Sequence, residues 1–300
     1  MASLKAIRKR ITSVKSTQKI TRAMKMVAGA RLNKAQQRIV ELRPYAVKTQ
    51  EVLSEVVSHT QELGDAEGGE AAVPELLHPL LARRAPKRVM LVVLTSDRGL
   101  CGAFNANINK TAEREYRERT ANGQEVRVVV VGRKGRDYLS RRSIPLDYVP
   151  GIWEALGYET SKRFGQQVLP PFLKNEVDAI YVVYNEFKSA MSQRVTVEQL
   201  LPVRQTQDTD GMHSGEFNFE PSREALLEHL APLYVDISLL RALYESMASE
   251  LGARMTAMDS ATKNATEMID KLTLEYNKAR QAAITKELME IIGGSEAIKE

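Results

Sequence analysis

Residues 226–272 read LLEHLAPLYVDISLLRALYESMASELGARMTAMDSATKNATEMIDKL. Apolar or small side chains recur there in alternating steps of four and three residues, which predicts one amphipathic helix. A period of 3.5 residues kept over about six heptads is typical of a left-handed coiled coil. The seam positions that this pattern predicts are Leu226, Leu230, Leu233, Ile237, Leu240, Tyr244, Met247, Leu251, Arg254, Met258, Ala261, Ala265, Met268 and Leu272.

The beginning of the chain carries a second long helical pattern, from about Ser3 to His59, with Ile11 and Val14 among its seam positions. Pro44 interrupts the hydrogen bonding of such a helix, but the period continues past it, so a kink is expected there rather than an end. At 1.5 Å per residue the helix would be about 80 Å long, so we expect it to pack against another long element. We therefore expect the two terminal helices to pair antiparallel, with Gly293 and Gly294 ending the second one.

Between the two helical patterns the period changes to short β-branched runs separated by amphipathic stretches. The predicted strands are Arg88–Thr95, Val126–Val131, Ala179–Tyr184 and Ser192–Val203, and the predicted helices are 104–121, 134–142 and 159–175. Continuous apolar runs suit strands that are buried on both faces, as in a parallel sheet. The alternation of strands with helices predicts an α/β domain with crossover connections.

The predicted fold class is therefore α/β plus a long antiparallel α-helical coiled coil. A small parallel-sheet, Rossmann-like domain is inserted between the N-terminal and C-terminal helices. The predicted segments are 1–60 for the first helix, 75–206 for the α/β domain and 221–292 for the second helix. Polar or glycine-bearing stretches at 62–74 and 207–218 predict loops between them.

Positive charge is concentrated at one end of the chain. The whole sequence has 43 Lys and Arg against 38 Asp and Glu, a net charge of +5. Residues 1–43 hold twelve of those cations and one acidic residue, Glu41, so this segment carries +11 and the rest −6. Such a segment suits phosphate contacts with nucleic acid or contact with an acidic protein surface, and composition does not rank the two. A transit peptide fits less well, because the helical pattern runs unbroken past residue 50.

No catalytic, cofactor or metal site emerges from the sequence. Nothing matches the P-loop, and the glycines in the turn Ser96–Ala103 fit a tight strand-to-helix turn better than a phosphate cradle. The single cysteine, Cys101, excludes an internal disulfide and is expected to be a small buried apolar residue rather than a nucleophile. The histidines show no metal-ligand spacing. No segment is long and apolar enough to span a bilayer.

Three motifs in order along the chain resemble those of a known family. They are ITSVKSTQKITRAMKMVA at 11–28, SDRGLCG at 96–102 and YNKARQAAITKELMEI at 276–291. All three resemble the gamma subunit of F-type ATP synthase. The two helical motifs are highly specific, and the resemblance covers nearly the whole chain.

The resemblance implies a non-catalytic central stalk without a cofactor. Such a shaft turns inside a ring of three alpha and three beta subunits, coupling transmembrane proton flow to ATP synthesis or hydrolysis at the beta subunits. Its α/β domain docks the epsilon subunit and the c-ring, and nucleic acid is not among its partners. The expected location is peripheral, at the cytoplasmic face of a bacterial plasma membrane, because a presequence and a regulatory cysteine pair are absent.

The resemblance also assigns contact residues for the beta subunit. They are Met24, Lys25, Arg280, Gln281, Thr285 and Glu287. From spacing alone, Arg280 is an ordinary solvated helix arginine, and only the motif gives it this role. Two alternatives remain from the residues themselves: a coiled-coil protein that binds nucleic acid through the basic helix, and a weak nucleotide-binding enzyme.

Overall fold

The computed structural model describes residues 4–66, 78–82, 84–203 and 222–297. In chain order the helices are α1 (Leu4–Ala66), α2 (Phe104–Ala121), α3 (Arg133–Ser140), α4 (Tyr158–Val168), α5 (Pro170–Leu173) and α6 (Arg223–Ala297). The strands are β1 (Arg88–Leu94), β2 (Glu125–Val131), β3 (Leu146–Val149), β4 (Ala179–Phe187) and β5 (Gln193–Leu201), and a short 3₁₀ helix spans Pro79–Leu81. The predicted loop at 207–218 and residues 67–74 of the other predicted loop lie outside the described residues.

Both terminal helices are longer than the sequence pattern predicted. Pro44 lies inside α1 and Pro232 lies inside α6, so neither proline ends its helix. The prediction that Gly293 and Gly294 end α6 is wrong, since the helix continues to Ala297. A glycine lowers helix propensity by about 1 kcal/mol but leaves the helical backbone geometry accessible, so it does not by itself stop a helix.

The sheet has five strands in the order β3-β2-β1-β4-β5. The first four strands in this order are parallel, which agrees with the predicted parallel sheet, although β3 was not predicted as a strand. Strand β5 runs antiparallel to β4, with Val183 opposite Val197, so the sheet is mixed rather than fully parallel. The reason is the connection, because the few residues from Lys188 to Ser192 suffice for a hairpin and not for a parallel crossover.

Both faces of the sheet are covered. On one face, Val92 and Leu94 of β1 join a core that includes Phe164 and Leu243, from α4 and α6. On the other face, Val93 packs into a core that includes Phe104 and Ile108 of α2. This two-sided burial explains why β1 reads as a continuous apolar run.

The chain divides into two compact units. The first contains residues 1–29 and 254–300, and the second contains residues 30–253 with the whole sheet. The three predicted segments, 1–60, 75–206 and 221–292, stay a prediction about domain organisation. Among the described residues, no helix combines the length and apolar character needed to cross a bilayer.

Candidate functional site

The two terminal helices pair in the first unit through side chains that reach across the seam. The contacts join Gln18 Nε2 to Thr266 Oγ1 at 2.7 Å, Thr21 Oγ1 to Thr262 Oγ1 at 2.8 Å, and Lys25 Nζ to Asp259 Oδ1 at 2.6 Å. Residue numbers fall on α6 as they rise on α1. The pair is therefore antiparallel, as the sequence pattern predicted.

Most of the predicted seam residues are at least half-buried, but Leu233 is 36% exposed, and their place in the seam stays a prediction. In the first unit Met258 is buried, and Ile11 and Val14 are half-buried. In the second unit Leu240 and Leu251 are buried and Met247 is half-buried.

The predicted phase of the seam is wrong at Met268. Its side chain is 49% exposed, and the neighbouring Ile269 is half-buried instead. After Met258 the buried and half-buried line follows Thr262, Ala265, Ile269 and Leu272. The polar residue Thr262 lies in the seam while Met268 faces outward, so a reading based on apolar residues selects the wrong phase.

The six predicted contact residues fall into two groups. Met24 is half-buried and Lys25 is paired with Asp259, whereas Arg280, Gln281, Thr285 and Glu287 are all exposed. In the observed register, Arg280 lies level with the start of α1 near Leu4. The two groups are therefore about 30 Å apart along the helix axis, at 1.5 Å per residue.

The surface of this helix pair is strongly basic. Residues 4–29 contain eight Lys or Arg and no acidic residue, while residues 254–292 carry six cations and six anions. Seven of the eight are exposed: Lys5, Arg8, Lys9, Arg10, Lys15, Lys19 and Arg22. In the described part of the chain, Lys25 is the member of this group for which an ion pair is found. This uncompensated charge favours an anionic partner.

Apolar side chains are exposed near the end of α6. Ile284, Leu288, Met289, Ile291 and Ile292 each expose between 49% and 69% of their surface. A group of this kind marks a surface that another molecule covers.

In the described part of the second unit, protein groups contact the backbone at the carboxyl ends of the parallel strands, where open α/β sheets bind nucleotides. Ser246 and Ser249 of α6 donate hydrogen bonds to the carbonyl oxygens of Leu94 and Asn185. Trp153 Nε1 donates to the carbonyl oxygen of Thr95 at 2.8 Å. Protein groups therefore already occupy backbone positions that a nucleotide would approach.

The glycine-bearing turn at 96–103 is satisfied from within the chain. The Asn105 side chain accepts a hydrogen bond from the Ser96 backbone N–H at 3.0 Å, and Asn105 Nδ2 lies 3.1 Å from Cys101 Sγ. Cys101 is 2% exposed, which agrees with its expected role as a small buried residue. Across the described residues, no group of three His, Cys, Asp or Glu side chains is arranged to hold a metal ion.

Two polar clusters were not predicted from the sequence. Asp259 contacts both Lys25 and Lys263, and these ammonium groups hold the pKa of its carboxyl below the ordinary value. The spacing of Asp259 and Lys263 is visible in the sequence, but the partnership with Lys25 depends on the register of the two helices.

The second cluster lies between strands β4 and β5 and helix α6. Tyr184 Oη donates to Glu198 Oε2 at 2.6 Å, and Arg241 also pairs with Glu198. Burial, with the Glu198 charge, raises the pKa of Tyr184 far above its ordinary value. An arginine beside the predicted seam residue Leu240 is the one sequence signal that could have indicated this network.

The family model described as ATP synthase matches residues 3–298. The ATP synthase gamma chain of Sorangium cellulosum is 64% identical, and the match covers 100% of both chains. The ATP synthase gamma chain of Geobacter sp. strain M21 is 50% identical, again over 100% of both chains.

Solved structures of the same kind share the fold. A chain from the central stalk and c-ring structure of the Tetrahymena thermophila mitochondrial ATP synthase matches with a TM-score of 0.58 at 26% identity, covering 81% of this chain and 99% of that one. A chain from a Euglena gracilis mitochondrial ATP synthase structure of OSCP, F1 and c-ring has a TM-score of 0.65 at 22% identity, covering 98% and 94%. With a family model over nearly the whole sequence and relatives that align from end to end, the chain belongs to the ATP synthase gamma chain family.

Proposed function

We propose that this chain is the central rotor shaft of an F1Fo ATP synthase. It rotates inside the ring of alpha and beta subunits and couples transmembrane proton flow to ATP synthesis or hydrolysis at the beta subunits. Its partners are three alpha and three beta subunits, the epsilon subunit and the c-ring. The chain itself is peripheral to the membrane, at the cytoplasmic face of a bacterial plasma membrane.

The observation that carries this proposal is the character of the helix pair in the first unit. Residues 4–29 of α1 carry seven exposed cations for which no ion pair is found among the described residues, and large apolar side chains are exposed towards the end of α6. A basic rod with an apolar end suits insertion into a protein sleeve that offers acidic loops and an apolar lining. The antiparallel pairing supports this use, because two helices wound together resist bending better than one.

The contact with the beta subunit is proposed at Met24 and Lys25 on α1, and at Arg280, Gln281, Thr285 and Glu287 on α6. Their separation of about 30 Å along the axis favours two distinct contacts at different heights. An exposed ion pair contributes only about 0–1 kcal/mol, which suits contacts that must form and break at every step of rotation.

We further propose that the chain has no catalytic activity of its own. The support is the crevice of the α/β domain, where Ser246, Ser249 and Trp153 already bond to the backbone at or beside the strand ends. In the turn at 96–103, the backbone N–H and the hydroxyl of Ser96 likewise form hydrogen bonds within the chain. ATP hydrolysis by the complex would then come from the beta subunits.

Reconstitution tests the function directly. The purified chain is mixed with alpha and beta subunits, and complex formation is followed by gel filtration and ATP hydrolysis. We expect one copy per three alpha and three beta subunits, and hydrolysis that the isolated chain lacks. Failure to form a stoichiometric complex, together with salt-sensitive DNA binding at micromolar concentration, would instead favour a nucleic-acid-binding protein.

A further inference from the structure

The ion pair between Lys25 and Asp259 suggests how the chain keeps a partner contact weak. We propose that Asp259 is an internal competitor for Lys25. It holds the Lys25 ammonium group in the free chain and exchanges it with a carboxylate of the partner subunit when the two meet. The pair itself is a property of this chain alone, while the identity of the partner rests on the proposed function.

The geometry makes Asp259 a strong internal ligand. Lys25 Nζ lies 2.6 Å from Asp259 Oδ1, and Lys263 Nζ lies 3.1 Å from Asp259 Oδ2. Both carboxylate oxygens are therefore engaged, and one of the two lysines comes from the other helix. Because the two ammonium groups lower its pKa, Asp259 stays ionised throughout the neutral range.

Exposure allows the exchange. The side chain of Lys25 is 44% exposed and that of Asp259 is 32% exposed, so solvent and a partner reach both groups. A fully buried pair would be separated only at high cost, because each charge would be left without a partner. A half-exposed pair exchanges one carboxylate for another with little net change in free energy.

The charge distribution makes Lys25 exceptional. In the described part of α1 up to Gly29, seven other Lys and Arg side chains are exposed, and no ion pair engages them. Those cations attract an acidic partner over a distance that is limited by salt screening. Lys25, which is proposed above as a contact residue, is the cation of this group that pairs with Asp259. The seven exposed cations therefore attract the partner, while Asp259 competes for Lys25 at the contact itself. The rotor is thus attracted to the partner without being held at one angle of rotation.

Asp259→Asn removes the competitor and changes shape very little. In the reconstituted complex, we expect Lys25 to hold the partner carboxylate longer and ATP hydrolysis to slow by about two- to five-fold at low ionic strength. The effect should fade as salt is raised towards 1 M, where the Debye length is about 3 Å. Asp259→Glu keeps the carboxylate and should restore the wild-type rate.

Asp270→Asn is the matched control. Asp270 is an exposed aspartate on the same helix and in the same unit, so its replacement changes net charge equally. It should leave the rate and its salt dependence at wild-type values.

A carbodiimide, which joins amines to carboxylates in contact, follows the exchange itself. In the full-length chain alone we expect mass spectrometry to identify a Lys25–Asp259 cross-link. In the assembled complex part of that yield should move to a link between Lys25 and a beta-subunit carboxylate, and Asp259→Asn should increase that second link.

Three results would overturn the proposal. If the Lys25–Asp259 link is absent in the free chain, the ion pair does not form there and the proposal fails. The exchange is contradicted if the yield of the Lys25–Asp259 link is unchanged after assembly and Asp259→Asn hydrolyses ATP at the wild-type rate at every salt concentration. If the chain shows the internal link but forms no complex with alpha and beta subunits, the proposed function and this partner are both wrong. The ion pair within the chain would still be supported.

Discussion

Arg38 on helix α1 donates a hydrogen bond of 3.1 Å to the hydroxyl oxygen of Tyr244 on helix α6, and its guanidinium carbon lies 5.7 Å from the centre of the Tyr244 ring. The same guanidinium group donates to the backbone carbonyl of Leu156 at 3.2 Å. One side chain therefore ties three separate segments of the second unit together.

We expect Arg38→Ala to lower the free energy of unfolding by about 1–2 kcal/mol, because it removes two hydrogen bonds and a cation–π contact. Arg38→Lys should recover only part of the loss, since an ammonium group lacks the planar guanidinium, whose Nη1 donates both hydrogen bonds and whose carbon lies near the Tyr244 ring. Chemical denaturation of the purified chain measures both. Arg43→Ala, which removes an exposed arginine five residues further along α1, serves as the control. Equal losses for Arg38→Ala and Arg43→Ala would show that the Tyr244 contact contributes nothing.

Gly135 provides a steric test of the packing between α3 and the sheet. A Cβ atom added there would lie 2.6 Å from Thr95 Oγ1 and 2.8 Å from a methyl carbon of Val130. We expect Gly135→Ala to destabilise the chain by about 1–3 kcal/mol, the usual cost of overpacking. At Gly157 an added Cβ would meet nothing within 4 Å, so Gly157→Ala should change stability by less than about 0.5 kcal/mol. Thermal unfolding compares the two, and similar midpoints would contradict the packing described for Gly135.

Glu245 gives the second unit a pH dependence. Burial raises the pKa of this carboxyl above its ordinary value, with the charges of Glu186 and Glu198 adding to the effect and Arg241 opposing it. The Oε2 atom of Glu245 is buried and has no hydrogen-bond partner among the described residues. A carboxyl with a raised folded-state pKa favours folding below its unfolded-state pKa, and this contribution is lost as pH rises through the folded-state value.

Glu245→Gln should therefore be more stable than the wild type at pH 7–8, by roughly 1 kcal/mol, because an amide is less costly to bury than a carboxylate. The advantage should shrink as pH falls towards 4.5, the ordinary carboxyl value. Unfolding midpoints from pH 4.5 to 8 measure this trend. Glu267→Gln, at an exposed position on the same helix, should show no such trend. A pH-independent difference for Glu245→Gln would rule out this role for its charge.

The sequence predicted most of the fold because its elements have strong local signals. Runs such as Val89–Leu94 are apolar throughout, so burial on both faces could be predicted without knowing the partner strands. Strand β3, Leu146–Val149, was missed because it is only four residues long and half-exposed at the sheet edge. The direction of β5 was missed because it is a property of the connection rather than of the strand itself.

The candidate site was less predictable, because it depends on how two distant segments align. Lys25 and Asp259 are 234 residues apart, and the register that brings them together cannot be deduced from the sequence of either helix alone. Thr262 lies in the seam because it bonds to Thr21 across it, although a threonine weakens an apolar pattern. Long-range polar pairing of this kind needs three-dimensional structure.

Met24→Lys tests the proposed contact at Met24 and Lys25. It adds a cation beside Lys25, so we expect an acidic loop of the beta subunit to be held more firmly and coupling to be impaired. One further exposed ion pair of up to about 1 kcal/mol would slow release by up to roughly five-fold. Proton pumping per ATP hydrolysed, measured in membrane vesicles, reports coupling. Met26→Lys places the same charge at a position that is 62% exposed on the same helix, and it should have a smaller effect. An unchanged ratio for Met24→Lys would show that this contact assignment is wrong.

Removal of residues 287–300 tests the apolar end of α6, together with Glu287 of the contact proposed on that helix. The deletion takes away the exposed side chains of Leu288, Met289, Ile291 and Ile292. Burial of one large apolar side chain contributes about 1.5–3 kcal/mol, so their loss should weaken assembly with alpha and beta subunits by at least 100-fold, roughly 2.7 kcal/mol. A shorter deletion of residues 293–300 keeps these four side chains and should assemble almost normally. Native gels at a series of subunit concentrations measure assembly, and ATP synthesis in vesicles measures function. If the 287–300 deletion assembles and synthesises ATP like the wild type, the end of α6 takes no part in the sleeve contact.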